Sequence, residues 1–339
     1  MISVAMATYN GEKYLQQQLD SIAAQTVLPD ELVVCDDCST DRTIEILENF
    51  KNKVNFDVLI LRNEVNSGYV KNFARVISEA KGDYVFMCDQ DDSWFPNKIE
   101  VVLKTFEENP KAQLVAHNAM CTDADLKPLG KTLFEFDVSR GLRYGSAIHG
   151  FVTCARRSYL NYMLPIPYCY SFDRWLSLPA HELKIRYELD TVLGYYRRHE
   201  KAITFEIIGK SQNFITIANR KIKSNLRSIK RARSMEEIDY RYTRETSIVE
   251  FARRVKANKE LPKWIDEELL NKLESSAKTK VEAFKVRYNA ISVKGLQRLQ
   301  RILRAYKNGV YKNFHGIQTA FDDLFRFTGD FKGLKEQEL

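Results

Sequence analysis

No stretch of the 339-residue sequence approaches the roughly 18 consecutive apolar residues that a membrane-spanning helix requires. A signal peptide is not expected either, because polarity and charge begin at Asn10-Gly-Glu-Lys13. The first strand-turn lacks the G-x-G-x-x-G of dinucleotide folds, and G-x-x-x-x-G-K-[ST] occurs nowhere, which disfavours dinucleotide binding and P-loop hydrolysis. Cysteine is sparse. Six residues are scattered, and Cys35-Asp-Asp-Cys38 has no companion pair, so zinc and redox uses are set aside for mostly buried thiols in a reducing cytosol. No RNA- or DNA-binding module accompanies the positive charge, and nucleic acid is not an expected partner.

What is present is a globular composition, 44% apolar and 29% charged, long enough for two domains. The charge is uneven. Residues 1–200 carry 22 Lys and Arg against 28 Asp and Glu, whereas residues 201–339 carry 30 against 17. An acidic front and a strongly basic back suggest two regions with different partners.

In the front, short apolar runs alternate with helical periods. Ile2 to Ala7, Glu31 to Cys35, Phe56 to Leu61, Tyr84 to Cys88 and Gln113 to His117 read as strands. Tyr14 to Gln25, the segment of Ile44, Leu47 and Phe50, that of Phe73, Val76 and Ile77, and Asn97 to Asn109 read as helices, with Ser39, Thr40 or Asp41 able to cap the second. Such alternation predicts an α/β fold with a parallel, doubly wound sheet. Polar clusters follow the strands: Thr8 to Asn10, Asp36-Asp37, Asn63 to Gly68, and Asp89 to Asp92. In a parallel sheet these ends share one edge, where open α/β sheets bind ligands. Three carboxylates packed together repel one another unless a cation offsets them, and hard oxygen donors suit Mg²⁺ or Mn²⁺. The plainer alternative is an acidic turn before the next helix.

Farther on, Leu133 to Phe136 and Gly150-Phe-Val-Thr-Cys154 read as sheet edges, and Arg156-Arg157 and Tyr159 as the start of a helix stopped by Pro165-Ile-Pro167. Thr191 to Tyr196 reads as a strand. From 205 to 328 the pattern is helical, with apolar stripes at Ile215, Ala218, Ile222, Leu226 and Ile229, at Leu270, Leu273, Ala277, Val281 and Phe284, and at Leu296, Leu299, Leu303, Tyr306 and Val310. These stripes fit a bundle that packs on itself or forms a homo-oligomer. The cluster Lys221, Lys223, Arg227, Lys230, Arg231 and Arg233 equally fits a membrane-surface module.

Four motifs in order, Ala7-Thr-Tyr-Asn-Gly, Val34-Cys-Asp-Asp-Cys-Ser-Thr-Asp, Asn66-Ser-Gly and Phe86-Met-Cys-Asp-Gln-Asp-Asp-Ser-Trp, resemble the family 2 glycosyltransferases and their GT-A nucleotide-sugar domain, a Rossmann-like sheet flanked by helices. The similarity is greatest to bacterial cell-surface polysaccharide enzymes of the rhamnosyltransferase-like group and covers about residues 1–205. It implies a catalytic domain at 1–205 and a basic all-α region at 206–339. It implies an inverting, metal-dependent transfer from a UDP- or dTDP-sugar to a saccharide or lipid-linked saccharide, in the cytoplasm or at the inner face of the membrane.

On single positions, the resemblance implies that Thr8, Tyr9 and Asn10 line the nucleotide, that Asp36 and Asp37 meet the base, and that Asn66 and Gly68 border it. Asp89 and Asp91 match the D-x-D motif, with Asp91 on the metal, Asp89 toward the ribose and Asp92 behind them. Gly150 falls where the family carries an acceptor loop, though a plain glycine turn fits as well. Ser171-Phe-Asp-Arg-Trp stands where relatives carry His-Asp-Trp-Trp, so Asp173 matches the general base and Trp175 a donor-site aromatic, while Arg174 departs from the pattern. Tyr196-Arg-Arg-His199 resembles a segment that closes over the diphosphate, with Arg197 or Arg198 clamping phosphate and His199 on the metal. Two rival readings are a nucleotidyltransferase or sugar-phosphate enzyme on a similar sheet, and a non-catalytic assembly factor acting through the helical tail.

Overall fold

Four short apolar runs become adjacent parallel strands: β1 (Ile2–Thr8), β2 (Glu31–Asp36), β3 (Asp57–Arg62) and β4 (Tyr84–Asp89). The computed structural model describes residues 1–139, 141, 143, 149–167, 170–199, 235–314 and 316–324. The sheet order begins β3-β2-β1-β4, and its register sets Thr8 opposite Asp36 and Ala7 opposite Asp89. The carboxyl ends of the strands therefore finish level with one another. Helices α1 (Leu15–Ala23), α2 (Thr43–Lys51) and α3 (Tyr69–Glu79) link them, burying Leu15, Leu19 and Ile22, then Leu47 and Phe50, then Phe73, Val76 and Ile77. The spacings of three and four lay one apolar face of each helix on the sheet. At the start of α2 it is Asp41, of the three candidate caps, whose carboxylate accepts from the Thr43 amide at 3.0 Å.

Beyond β4 come β5 (Ser93–Trp94), α4 (Lys98–Glu108), β6 (Leu114–Thr122), β7 (Pro128–Thr132), α5 (Leu133–Ser139), β8 (Thr153–Arg156), α6 (Arg157–Met163), α7 (Phe172–Glu182) and β9 (Arg186–Arg197). The full order is β3-β2-β1-β4-β8-β6-β9-β5, with β7 on β6. Two expectations change here. The Gly150–Cys154 region is no edge: β8 runs antiparallel between β4 and β6, with Cys154 opposite both Phe86 and Val115. Its small residues Thr153, Cys154 and Ala155 are buried, as an interior strand requires. The β6 strand still runs in the direction of β4, but as its second neighbour. Leu133 to Phe136 is helical rather than extended. Thr132 and Glu135 form a capping box, the Thr132 amide donating to Glu135 Oε2 at 2.8 Å and the Glu135 amide to Thr132 Oγ1 at 3.3 Å.

The chain divides into two compact units, Met1–Gly209 with Pro262–Asp266, and Lys210–Leu261 with Glu267–Leu339. In the second unit the described helices are α8 (Met235–Lys256), α9 (Glu267–Ile291), α10 (Gly295–Lys307) and α11 (Ile317–Leu324). They enclose Ile238, Tyr242, Phe284, Ile291, Ile302 and Tyr311. A buried ion pair, Arg287 to Asp323 at 2.9 and 3.0 Å, is completed by the Tyr311 hydroxyl at 2.9 Å. The stripe of Leu270, Ala277, Val281 and Phe284 is buried as expected. That of Leu296, Leu299, Leu303 and Tyr306 is not: all four side chains are exposed, and α10 buries Arg298, Ile302 and Ala305 instead. The stripe at 215–229 and the cations at 221–233 lie outside the described residues. Among the described residues no helix is long and apolar enough to cross a membrane.

Candidate active site at the carboxyl ends of the parallel strands

The level strand ends gather the polar clusters into one crevice. Asp36 is buried and accepts from the Thr8 hydroxyl at 3.1 Å and from Ser39 through both hydroxyl and amide, at 2.5 and 2.8 Å. Thr8 and Asp36 thus tie β1 to the loop after β2 at the crevice floor. Asn10, with φ +47°, accepts the Thr40 amide at 2.9 Å and donates its own amide to Ser39 at 2.8 Å. Tyr9 stands at the rim, 49% exposed.

Asp37 gathers the 63–68 loop. Its Oδ1 accepts from Asn63 Nδ2 at 2.7 Å, the Ser67 amide at 2.8 Å and the Ser67 hydroxyl at 3.0 Å, while among the described residues Oδ2 accepts only the Gly68 amide, at 2.8 Å. Burial pushes the Asp37 carboxyl up, but these four donors outweigh it and hold the group below its ordinary value. Gly68 sits at φ +81°, a left-handed backbone that lets the chain turn directly into α3. Asn66 beside it is exposed. Asn72 of α3 backs the loop, donating to Cys35 O at 2.9 Å and accepting Asn63 Nδ2 at 3.2 Å. Burial pushes the Cys35 thiol up to about 11, in keeping with an inert thiol.

The acidic turn leaves β4 beside this floor. Gln90 bridges it to the first loop: its Oε1 accepts the Tyr9 amide at 2.9 Å and its Nε2 donates to Tyr9 O at 3.0 Å. Asp91 meets His199, with Oδ2 and Nε2 2.8 Å apart, and the imidazole packs against Tyr14 at 4.8 Å. Asp92 points inward, accepting the Arg197 amide at 2.9 Å through Oδ1, while its buried Oδ2 has no hydrogen-bond partner among the described residues.

Arg197 is committed to this loop. Its Nε donates to Asp91 O at 2.6 Å, Nη1 to Ala124 O and Nη2 to Gln17 Oε1 at 2.5 Å, and it stacks on Tyr14. The Arg198 side chain is likewise buried, donating to the Tyr196 hydroxyl at 2.9 Å and packing on Phe136. Both guanidinium groups expected to clamp phosphate are turned into the protein, Arg197 toward the carbonyls of Asp91 and Ala124 and Arg198 toward the Tyr196 hydroxyl and the Phe136 ring.

Charge in the turn is unbalanced. Burial, then Asp91, then Asp173 push the Asp89 carboxyl up to about 8. Burial, then Asp91 and Asp89, push Asp92 well above the ordinary range. Lys98 lies buried behind the strand, its Nζ donating to Phe151 O at 2.7 Å and standing 3.7 Å over the Trp94 ring; burial brings it down to about 7.

Asp173 opens α7 and faces this turn closely enough for its charge to act on Asp89. Its Oδ1 accepts the Arg174 amide at 2.7 Å, as a carboxylate at a helix N-terminus does. Trp175 corrects an expectation. It is fully buried, its Nε1 donating to Met163 O at 2.6 Å, with Tyr170 5.0 Å away. Two residues past Asp173 a helix has turned about 200°, so Trp175 fixes α7 to α6 and cannot touch a donor in the crevice. Gly150 is buried in the turn before β8, and a Cβ there would lie 2.3 Å from the Phe172 ring. Glycine stands there to let Phe172, itself stacked on Phe73 at 3.8 Å, seat the first turn of α7.

The donor set suits an open Mg²⁺ or Mn²⁺ site. Among the described residues no group of three His, Cys, Asp or Glu side chains could hold a metal alone. Asp91 and His199 offer two adjacent donors, and the partnerless Asp92 oxygen lies buried behind them. Such ions commonly bind one or two protein groups and take their remaining ligands from water and substrate phosphates.

Three structural partners were not singled out in the sequence, Gln90, Asn72 and Lys98, whereas Asn63 and Ser67 belong to the polar cluster that was. Gln90 stood in plain sight between the two acids of the motif. Asn72 carried no local signal, since its partners, Cys35 and Asn63, lie on other elements.

The family model described as glycosyl transferase family 2 matches residues 3–161. A Haemophilus influenzae glycosyltransferase is 31% identical over 121 residues, 36% of this chain and 40% of its own. The Staphylococcus aureus poly(ribitol-phosphate) beta-N-acetylglucosaminyltransferase TarS is 42% identical over 93 residues, 26% of this chain and 16% of its own. The Salmonella typhimurium abequosyltransferase RfbV is 34% identical over 108 residues, 31% and 32%. The chain thus spans less than half the length of each relative. The crystal structure of TarS residues 1–349 with UDP-GlcNAc superposes with a TM-score of 0.53 at 18% identity, covering 95% of this chain and 89% of that one, a likeness of fold. The four motifs, the level strand ends and these matches agree in likening residues 3–161 to glycosyl transferase family 2.

Proposed function

We propose that the protein is an inverting, divalent-cation-dependent glycosyltransferase that moves a sugar from a UDP- or dTDP-sugar to a saccharide or lipid-linked saccharide in cell-surface polysaccharide synthesis. Residues 1–205 are the catalytic domain in this reading, and 206–339 serve association with a membrane surface or a second copy, on the cytoplasmic side. The observation that carries it is the contact of Asp91 with His199 at the level strand ends, with the charge of Asp173 acting on Asp89 from the start of α7. TarS and RfbV, both named for sugar transfer, support the reaction class, and the UDP-GlcNAc in the TarS crystal supports the donor class.

Each residue then has a task. Tyr9 stacks on the nucleobase from the rim, and Asp37 Oδ2, with one donor already, accepts a further N–H from the base. Thr8, Asp36, Asn10, Asn66 and Gly68 shape the loops that enclose it. Asp91 and His199 hold Mg²⁺ or Mn²⁺, which when bound offsets the charge that gathers on the leaving diphosphate. Arg197 keeps the Asp91 backbone in place. Asp173 takes the proton from the acceptor hydroxyl. The acceptor oxygen bonds to the anomeric carbon as the carbon–oxygen bond to the diphosphate breaks, and the electron pair leaves with the nucleoside diphosphate. Attack opposite the leaving group inverts the anomeric centre.

The test is a panel of UDP-, dTDP- and GDP-sugars assayed for nucleoside diphosphate release with and without Mn²⁺. Cation-dependent release from at least one is expected. Asp173→Asn should cut turnover by about 10²–10⁴-fold while sparing donor affinity, and Asp91→Asn should weaken both. Near-normal turnover in Asp173→Asn would remove the base assignment, and release of pyrophosphate would point to nucleotidyl transfer.

A further inference from the structure

Helix α10 turns its leucines outward. Leu296, Leu299, Leu303 and Tyr306 are 69%, 37%, 51% and 43% exposed, at steps of three, four and three that align them in one stripe. The inward face is chosen by an arginine. Arg298 donates to Val293 O at 2.7 Å and Ile291 O at 2.8 Å, satisfying carbonyls where α9 ends, and Ile302 and Ala305 follow it into the core. With Arg298 held there, helical geometry leaves the leucines no core to enter. Beside the stripe, on the side away from the core, stand Arg304 and Lys307, both exposed, while Arg301 lies on the opposite flank and donates to Asn289 O at 2.8 Å; residues 295–307 contain no Asp or Glu.

We propose that this face of α10 docks on an anionic lipid bilayer. The occupant is argued from the pairing of an apolar stripe with a one-signed border. A helix lying in the plane of the headgroups inserts its apolar edge into the acyl boundary and sets its cations among lipid phosphates. Tyr306, apolar in its ring and polar at its hydroxyl, suits that boundary. An antiparallel second copy of α10 would bring Arg304 and Lys307 against the same flank of its partner, where like charges repel. The inference draws nothing from sugar chemistry: a chain without transferase activity would bind lipid equally.

The full chain is to be co-sedimented with vesicles of phosphatidylglycerol mixed with phosphatidylcholine, and with pure phosphatidylcholine vesicles. Binding to the anionic vesicles should be at least about tenfold tighter and should weaken with salt. The double variant Leu299→Gln/Leu303→Gln should lose about tenfold or more of it, and Arg304→Gln/Lys307→Gln about fivefold per cation. Thermal melting of each variant reports whether the helices still fold, and Tyr306→Ser repeats the test at a single exposed position. Three results overturn the proposal: no preference for anionic vesicles, equal binding by folded stripe variants (which moves the contact elsewhere in the chain), or a wild-type dimer in light scattering that the leucine variants dissolve while lipid binding stays the same. Nucleotide-sugar turnover, measured separately, shows whether the catalytic reading stands or falls on its own.

Discussion

His199 Nε2 lies 2.8 Å from Asp91 Oδ2, joining the end of β9 to the acidic turn after β4. The contact brings an imidazole nitrogen to a carboxylate of the acidic turn. If the pair holds the cation, His199→Ala should raise the Mn²⁺ concentration for half-maximal turnover by about 10–100-fold, with the fold intact. A titration of turnover against Mn²⁺ checks this, and an unchanged requirement would free His199 from the metal.

Asp89 makes the metal-free protein sensitive to pH. Its folded value of about 8 stands above its ordinary 3.8, so the folded chain binds the extra proton between them, and stability falls as pH rises through that window. Asp92, also raised, adds to the slope. His117, pushed down by burial, acts oppositely below its ordinary 6.5, and Lys98, brought down to about 7, acts oppositely from there to 10.5. The diagnostic is therefore a difference. The melting temperature of the parent minus that of Asp89→Asn should decline from pH 5 to 8, and Mn²⁺ should reverse the decline by replacing the proton. A difference that stays flat would mean that Asp89 is already ionised at pH 5.

The front of the molecule was legible because its signals are local. Apolar runs ended in polar clusters, and parallel pairing carried those clusters to one edge. What escaped was set by distant partners. Nothing within Thr153–Arg156 says that it inserts between β4 and β6 rather than flanking the sheet. Arg197 resembled a phosphate clamp until the carbonyls of Asp91 and Ala124 claimed it. The leucines of α10 promised a core face, but Arg298 reached the last carbonyls of α9 first. The Thr132–Glu135 capping box, by contrast, was readable, and two phenylalanines in an apolar run masked it.

Asp37 is expected to matter twice. Replacing it with Ala strands the Ser67 and Gly68 amides and the Asn63 side chain, which should cost about 1.5–3 kcal/mol of stability. Asp37→Asn keeps the shape but sets an NH₂ against one of those donors. In both, UDP affinity measured by calorimetry should drop, with the loss persisting below the melting transition. Retained UDP affinity in a folded Asp37→Ala protein would confine the residue to loop anchoring.

Gly150 and Phe172 offer the sharpest separation of geometry from chemistry. A Cβ at 150 would lie 2.3 Å from the Phe172 ring, and that ring has nowhere to go because Phe73 stacks on it at 3.8 Å. Gly150→Ala should therefore destabilise the fold by about 1–3 kcal/mol and push the first turn of α7 outward. Asp173 moves with that turn, while the crevice floor at Asp37 and the Asp91–His199 pair belong to other elements. The expected signature is a fall in kcat of about 10²-fold with donor KM nearly unchanged, as a misplacement near 1 Å produces. Adding Phe172→Leu restores room and should recover part of both losses. If Gly150→Ala raised donor KM instead, the glycine would border the nucleotide-sugar directly, and its contact with Phe172 would be secondary.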